Sequence, residues 1–186
     1  KSLTFRTIGI TRYGRRILSF EHDATRNHSP ILEKMEEIVV IECKSISEYL
    51  KQLEEIGEEE WERVMAINLR GTYLCAREAM VIMKPERSGK IINVSSISGR
   101  IGGIATGINY ATSKGALISL TMSLAKAGGP YNINVNAIAT GYMATDNTSS
   151  LRSEPERNKA LLARIPAGRW GDPEDLKGLA VFLASE

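Results

Sequence analysis

The stretch that decides the fold is a short apolar run that ends in two serines. Residues 89–96 read Gly89-Lys90-Ile91-Ile92-Asn93-Val94-Ser95-Ser96. The apolar run within it, residues 91–94, is typical of a buried strand in a parallel sheet. The serines follow at the carboxyl end of the strand, which is where such sheets bind their ligands. We therefore predict that functional residues lie in the loop after this strand.

The rest of the chain alternates between apolar runs and longer helical patterns. Three more strands are predicted, at 17–20, 38–41 and 133–138, and helices at about 30–37, 58–84, 109–127, 155–163 and 173–184. This alternation predicts an α/β fold, a doubly wound parallel sheet of the Rossmann-like kind. We expect a single domain over residues 1–186, with an atypical amino-terminal part over about 1–52 and an architecture incomplete at both ends.

A tyrosine and a lysine stand one helical turn apart after the serine strand. Tyr110 and Lys114 share a helix face, and the glycine-rich loop before them can bring Ser96 opposite the tyrosine. Reduction of a carbonyl leaves a negative oxygen that must be protonated. Tyrosine is a poor acid near neutrality, with a reference pKa of about 10, but a nearby cation favours its phenolate. The set therefore predicts proton transfer coupled to hydride transfer from a cofactor.

An asparagine lies on the apolar stripe of the long helix predicted over 58–84. Asn68 follows Val64 and Met65 by one turn, so its amide is expected to be buried and to need hydrogen-bond partners. It either serves the reaction or merely ties two backbone segments together. Gly71 in the same helix indicates close packing or a helix irregularity.

Composition excludes several classes of protein. A net charge of +2 argues against binding to nucleic acid or to a membrane surface, and no apolar run is long enough to span a bilayer. The first residues carry no signal-peptide core. Cys43 and Cys75 lack metal-type or redox-type spacing, so we expect no metal site and two free thiols in the cytoplasm.

Four stretches resemble motifs of the short-chain dehydrogenases/reductases, and the resemblance covers the chain from about residue 53 to residue 186. They are residues 61–72 (a helix motif with Asn68), 93–96 (a serine motif), the Tyr110/Lys114 pair and the turn after residue 138. The resemblance implies a catalytic set of Asn68, Ser96, Tyr110 and Lys114, with Ser95 as the alternative serine. In the family the lysine also bonds the nicotinamide ribose, which makes Tyr110 and Lys114 cofactor-binding residues as well.

The turn after the strand at 133–138 resembles the family's nicotinamide-contacting turn. Thr140-Gly141 stands where the family usually has Pro-Gly, and the resemblance implies that Gly141 and Thr145 contact the cofactor, NAD or NADP. Read alone, the segment is an ordinary strand followed by a glycine turn.

The amino-terminal part departs from the family. Gly9 and Gly14 lack the spacing of a phosphate-binding turn, and an ordinary loop is the preferred interpretation there. Residues 17–23 resemble the family's third strand, which would place Asp23 on the adenine. The chain is then part of a longer enzyme, a diverged protein without cofactor binding, or a sequence imperfectly determined at its amino terminus.

The function predicted from these motifs is an NAD(P)-dependent oxidoreductase that interconverts a secondary alcohol and a ketone of a small-molecule substrate. Residues 136–148 and 164–171 resemble the gluconate 5-dehydrogenase and 2-deoxy-gluconate 3-dehydrogenase branch of the family, which implies a sugar acid. The alternatives are a 3-ketoacyl reductase and a non-catalytic homologue that acts as an oligomerisation partner. A homodimer or homotetramer through the helices at 58–84 and 109–127 is implied by the resemblance.

Overall fold

The computed structural model describes the backbone of residues 4–10, 16–21 and 38–41, and the full residues 53–103 and 106–185. Its strands form one sheet in the order β1-β2-β3-β4-β5. They are β1 (Thr4–Ile10), β2 (Arg16–Glu21), β3 (Ile38–Ile41), β4 (Gly89–Ser96) and β5 (Ile133–Thr140). All four predicted strands are therefore present, with bounds extended by up to two residues at either end.

The strands β2 to β5 run parallel to their neighbours, as predicted, whereas β1 was not predicted and runs antiparallel to β2. Only residues 11–15 separate β1 from β2, and a parallel crossover needs a much longer connection. The interpretation of Gly9 as part of an ordinary loop was wrong, because Gly9 lies within β1, where the register shifts after Thr7.

The described part of the chain contains seven α-helices. They are α1 (Glu58–Met65), α2 (Thr72–Glu86), α3 (Ser98–Ile101), α4 (Ile108–Gly128), α5 (Ser149–Ser153), α6 (Pro155–Leu162) and α7 (Lys177–Ala184). The helix predicted over about 30–37 lies outside the described residues. The helix predicted over 173–184 begins as a 3-10 turn, Pro173–Leu176, before α7.

The predicted continuous helix over 58–84 is wrong in its middle. Residues Ala66–Gly71 form a π-helical segment between α1 and α2, and Asn68 and Gly71 within it are buried. An apolar stripe does not distinguish an α-helix from one that is locally widened to i→i+5 hydrogen bonds. Such widened turns occur most often at functional sites.

Helices cover both faces of the sheet, which confirms the doubly wound architecture. On β4, Ile91 packs with α2 and with Ile133 and Val135 of β5. Its neighbour Ile92 faces the other side, where it packs with Ile138 and α7. Successive side chains of a strand point to opposite faces, so β4 contributes to two cores.

None of the helices in the described ranges combines the length and the apolar character needed to cross a membrane. Within the same ranges, no group of acidic, histidine or cysteine side chains is arranged to hold a metal ion.

Candidate active site

The floor of the candidate site is the carboxyl edge of β4 and β5. Ser96 pairs with Thr140 in the parallel register, and the N–H of Ile97 donates to the carbonyl of Thr140 over 2.8 Å. Gly141 follows at once and is exposed, with open space where a side chain would stand. The serine motif and the Gly141 turn, which are far apart in sequence, therefore meet at one edge.

The two serines have different surroundings. The Ser95 hydroxyl donates to the carbonyl of Lys114 at 2.7 Å, and Ser95 is buried. Ser96 accepts from the N–H of Ser98 at 3.2 Å, and its own O–H has no acceptor among the described residues. The Ser95 proton is thus committed to the backbone, whereas the Ser96 proton is available to a ligand. This geometry favours Ser96 over Ser95 as the serine that contacts substrate.

Lys114 is buried with only 4% of its surface exposed, and its ammonium lies at the end of β4. Nζ donates to the carbonyl of Val94 over 2.9 Å and lies 5.7 Å from the centroid of the Tyr110 ring. A buried ammonium is costly unless it is hydrogen-bonded, so the strand carbonyl helps to hold the charge in place. The predicted proximity of the tyrosine and the cation is present.

Asn68 connects the π-helical segment to α4. Its Nδ2 donates to the Ser113 hydroxyl over 3.0 Å, and that hydroxyl donates to the carbonyl of Tyr110 over 2.7 Å. The Oδ1 atom of Asn68 is buried with no partner among the described residues. The amide therefore ties two segments together, but an unused acceptor remains, and leaving such a group unpaired costs about 1–3 kcal/mol.

Glycines allow the serine loop to approach α4 closely. A Cβ on Gly99 would lie 2.6 Å from the backbone nitrogen of Gly115 and 2.6 Å from the carbonyl carbon of Lys114. A Cβ on Gly115 would lie 3.1 Å from the carbonyl oxygen of Gly99. Only glycine at residue 99 permits this approach, which holds α3 against the turn that carries Lys114.

The segment after Gly141 forms a compact turn. Thr145 precedes the 3-10 turn Asp146–Thr148, and its main-chain N–H donates to the Thr148 hydroxyl over 3.0 Å. Thr145 is partly buried. Its contact with a cofactor stays a prediction. Asp23 lies outside the described residues, and its predicted role stays a prediction too.

Residues 142–171 form a small lobe with its own apolar cluster. Leu151 and Leu161 are buried in it, and Tyr142 meets Trp170 edge to face with 5.8 Å between ring centroids. The indole N–H of Trp170 donates to Asn158 Oδ1 over 2.7 Å. This cluster fixes the path of the segment that follows the Gly141 turn.

An exposed ion pair holds the turn between that lobe and α7. Arg169 forms hydrogen bonds of 2.7 and 3.3 Å with the two carboxylate oxygens of Asp175. The hydrogen bond from Arg169, together with one from the backbone of Asp172, lowers the pKa of the Asp175 carboxyl below its ordinary value.

Three residues of this region were missed by sequence reasoning. Ser113, Thr148 and Arg152 all bond residues of the predicted site. Ser113 could have been found, because it follows Tyr110 by three positions on a helix and lies next to Lys114. Thr148 could also have been found, because it follows Thr145 by three positions, the spacing of a helix capping box. Arg152, seven positions after Thr145, carries no such signal.

A protein-family model described as enoyl-(acyl carrier protein) reductase matches residues 30–186. The chain is 40% identical over 183 residues to the 2-dehydro-3-deoxy-D-gluconate 5-dehydrogenase of Dickeya dadantii (strain 3937). The alignment covers 95% of this chain and 72% of that protein. The chain belongs to the short-chain dehydrogenases/reductases.

Two further comparisons extend this result. A (3R)-3-hydroxyacyl-CoA dehydrogenase of Mus musculus is 40% identical over 152 residues, which is 80% of this chain and 56% of that protein. A crystal structure of a putative 2-deoxy-D-gluconate 3-dehydrogenase from Agrobacterium tumefaciens with bound NADP superposes with a TM-score of 0.75 at 39% identity, over 80% of this chain and 60% of that one. The chain thus spans between about half and three quarters of the length of these relatives.

The membership confirms the family and the fold predicted from the sequence. One feature distinguishes this short-chain dehydrogenase/reductase from the classic Rossmann order 3-2-1-4-5-6. In that order two strands lie between the third and the fourth. Here β2, which resembles the third strand, pairs directly with β3, the next strand along the chain.

The close approach of Gly99 to α4 yields a prediction about stability. Replacing Gly99 with Ala forces the serine loop away from Lys114, because the new methyl group meets backbone atoms that cannot rotate aside. We expect the free energy of unfolding to fall by about 1–3 kcal/mol, as for other overpacked sites, measured by chemical denaturation. Gly178→Ala in α7 is the matched control, since nothing lies within 4 Å of the added carbon there. Equal stability of both variants would contradict the described packing.

Proposed function

We propose that the protein is an NAD(P)-dependent oxidoreductase that interconverts a secondary alcohol and a ketone. The observation that carries this proposal is the position of the Lys114 ammonium, buried at the end of β4 and 5.7 Å from the Tyr110 ring. A cation in that place stabilises the negative charge that develops when the tyrosine exchanges a proton with a substrate oxygen.

Each residue of the set has a role that its contacts support. Ser96 donates its proton to the substrate oxygen, because no described residue accepts that proton. Tyr110 transfers the proton. Lys114 stabilises the charge on Tyr110 and is itself oriented by the Val94 carbonyl. The unpaired Oδ1 of Asn68 is an acceptor for a water molecule that links this set to solvent.

The residues at the carboxyl edge fit the nicotinamide end of the cofactor. Lys114 offers donors at the end of β4, and the open surface at Gly141 leaves room for a ring against the backbone. Thr145 follows on the same segment. When bound, NAD(P) supplies the hydride that no side chain can carry. NADP is the first form to test, because the Agrobacterium tumefaciens relative has it bound.

Replacing Tyr110 with Phe separates chemistry from binding. The variant loses only the phenolic oxygen, so we expect NADP(H) to bind with unchanged affinity while kcat falls by at least about 10²-fold. Calorimetric titration with NADP(H) and NAD(H), followed by turnover assays, measures both quantities on the wild type and the variant.

Two results of that experiment would count against the proposal. Preserved turnover in Tyr110→Phe would refute the role of the tyrosine. Failure of the wild-type chain to bind either cofactor would overturn the oxidoreductase function and favour the alternative, a non-catalytic homologue that acts through its surfaces.

We propose a sugar acid as the substrate, with an acyl-thioester ketone as the second candidate. The Dickeya dadantii relative supports the first by its name, and the Mus musculus relative supports the second. The identity to the former extends over 95% of this chain and the identity to the latter over 80%, which favours the sugar acid as the first candidate.

A comparison of the turnover of the two substrates tests this choice. We expect NADP⁺-dependent oxidation of gluconate or a deoxygluconate, and NADPH-dependent reduction of acetoacetyl-CoA, to differ in kcat/KM. The value for the sugar acid is expected to be at least about tenfold higher, because one well-placed polar contact contributes a factor of this size. Absorbance at the nicotinamide band measures both rates. The reverse order would support the ketoacyl reductase instead.

We also propose that the protein forms a homodimer or homotetramer through α2 and α4. Both helices expose large apolar side chains, with 45% of Tyr73, 64% of Val81 and 57% of Met122 accessible. Between them lies an apolar groove lined by Tyr73, Arg77, Met80, Val81, Lys84, Leu124 and Ala127. A second copy of the chain would cover this surface, as apolar patches on helices commonly require.

Replacing Val81 with Asp tests this interface. A charge in the centre of an apolar contact is costly to desolvate, so we expect the wild-type oligomer to dissociate to monomers. Light scattering coupled to size-exclusion chromatography gives the mass of each species. Lys159→Glu, an exposed change of charge on α6 and so outside α2 and α4, is the control and should leave the mass unchanged. A monomeric wild type would contradict the proposed interface.

A further inference from the structure

The main chain of Thr145 is held by two side chains that follow it in sequence. Thr148 and Arg152 each bond its backbone, the first from the 3-10 turn and the second from α5. Neither residue was singled out by its spacing, and the proposed reaction assigns no role to either.

Thr148 binds both polar groups of the Thr145 main chain. Its hydroxyl accepts from the Thr145 N–H at 3.0 Å and lies 3.0 Å from the Thr145 carbonyl. The same hydroxyl lies 2.7 Å from the carbonyl of Met143, so its single proton serves two acceptors. The backbone N–H of Thr148 also donates to the Thr145 carbonyl over 3.1 Å.

Arg152 binds the same carbonyl from α5. Its Nη2 donates to the Thr145 oxygen over 3.1 Å. Its Nε is buried with no partner among the described residues. An unpaired buried N–H costs about 1–3 kcal/mol, so stability alone does not account for an arginine here. Buried polar groups that lack a hydrogen-bond partner are expected where a segment serves function.

We propose that Thr148 and Arg152 are positioning residues that fix Thr145 against the cofactor. This inference rests on the proposed function, in which Thr145 contacts the nicotinamide end of NAD(P). Because both polar groups of the Thr145 main chain are tied down, the direction of its Cα–Cβ bond is set before the cofactor arrives. Preorganisation of this kind raises affinity by reducing the conformational freedom lost on binding.

Substitutions at residue 148 test the proposal. Thr148→Val keeps the shape but removes the hydroxyl, and we expect NADP(H) to bind about three- to tenfold more weakly, as the loss of one ordinary hydrogen bond gives. Thr148→Ser retains the hydroxyl and should restore the affinity. We expect KM for the cofactor to rise in Thr148→Val while kcat changes little, because the residue does not touch the reacting atoms.

Arg152→Gln provides a second, independent variant in case Thr148→Val folds poorly, and the same weakening is expected. Ser153→Ala is the matched control. It also removes one side-chain bond to a backbone carbonyl in α5, that of Ser150 at 3.0 Å, but it does not touch Thr145. We expect its affinity for NADP(H) to equal that of the wild type.

Titration of the whole chain with NADP(H), together with thermal denaturation of each variant, separates the outcomes. Weaker binding in Thr148→Val and Arg152→Gln, with recovery in Thr148→Ser, supports the proposal. Wild-type affinity in both variants, with only the melting temperature lowered, overturns it and leaves the oxidoreductase function intact. Absence of binding by the wild type overturns the proposed function and this inference with it.

Discussion

The active-site architecture depends on the contact between the end of β4 and the first turns of α4. Lys114 takes part in it twice, since its carbonyl accepts from Ser95 over 2.7 Å and its ammonium donates to Val94 over 2.9 Å. The first bond is buried and the second is partly buried, where unpaired polar groups are costly, so the strand end and the helix are held in one register. The glycine contact between Gly99 and Gly115 brings the two backbones close enough for this.

A second connection to α4 comes from the π-helical segment. The π-helical segment Ala66–Gly71 turns Asn68 inward, where it meets Ser113 on α4. The same helix is thus fixed by a strand end and by a widened helical turn. Lys114 lies at these attachments and Tyr110 lies one helical turn before it, so their relative placement is set by rigid elements rather than by a flexible loop.

Several of these features could be predicted from residue patterns. The strands β3 to β5 follow from apolar runs, and α4 follows from its period and length. The motif of a serine strand followed by Tyr110 and Lys114 was sufficient to indicate both the fold and the family. The pattern of apolar residues did not predict β1 or the π-helical segment within the helix over 58–84. Neither pairing in a hairpin nor a change from α to π hydrogen bonding alters the local order of apolar residues.

The sequence by itself determined the α/β class, the family and the residue types available for proton transfer, since these depend on local periodicity and on motif spacing. The tertiary structure decided which of them meet. It separated Ser96 from Ser95 through the bond of Ser95 to the Lys114 carbonyl, and it joined Asn68 to Ser113 on α4. Hydrogen bonds between residues that are distant along the chain depend on packing, and no short pattern of residues encodes them.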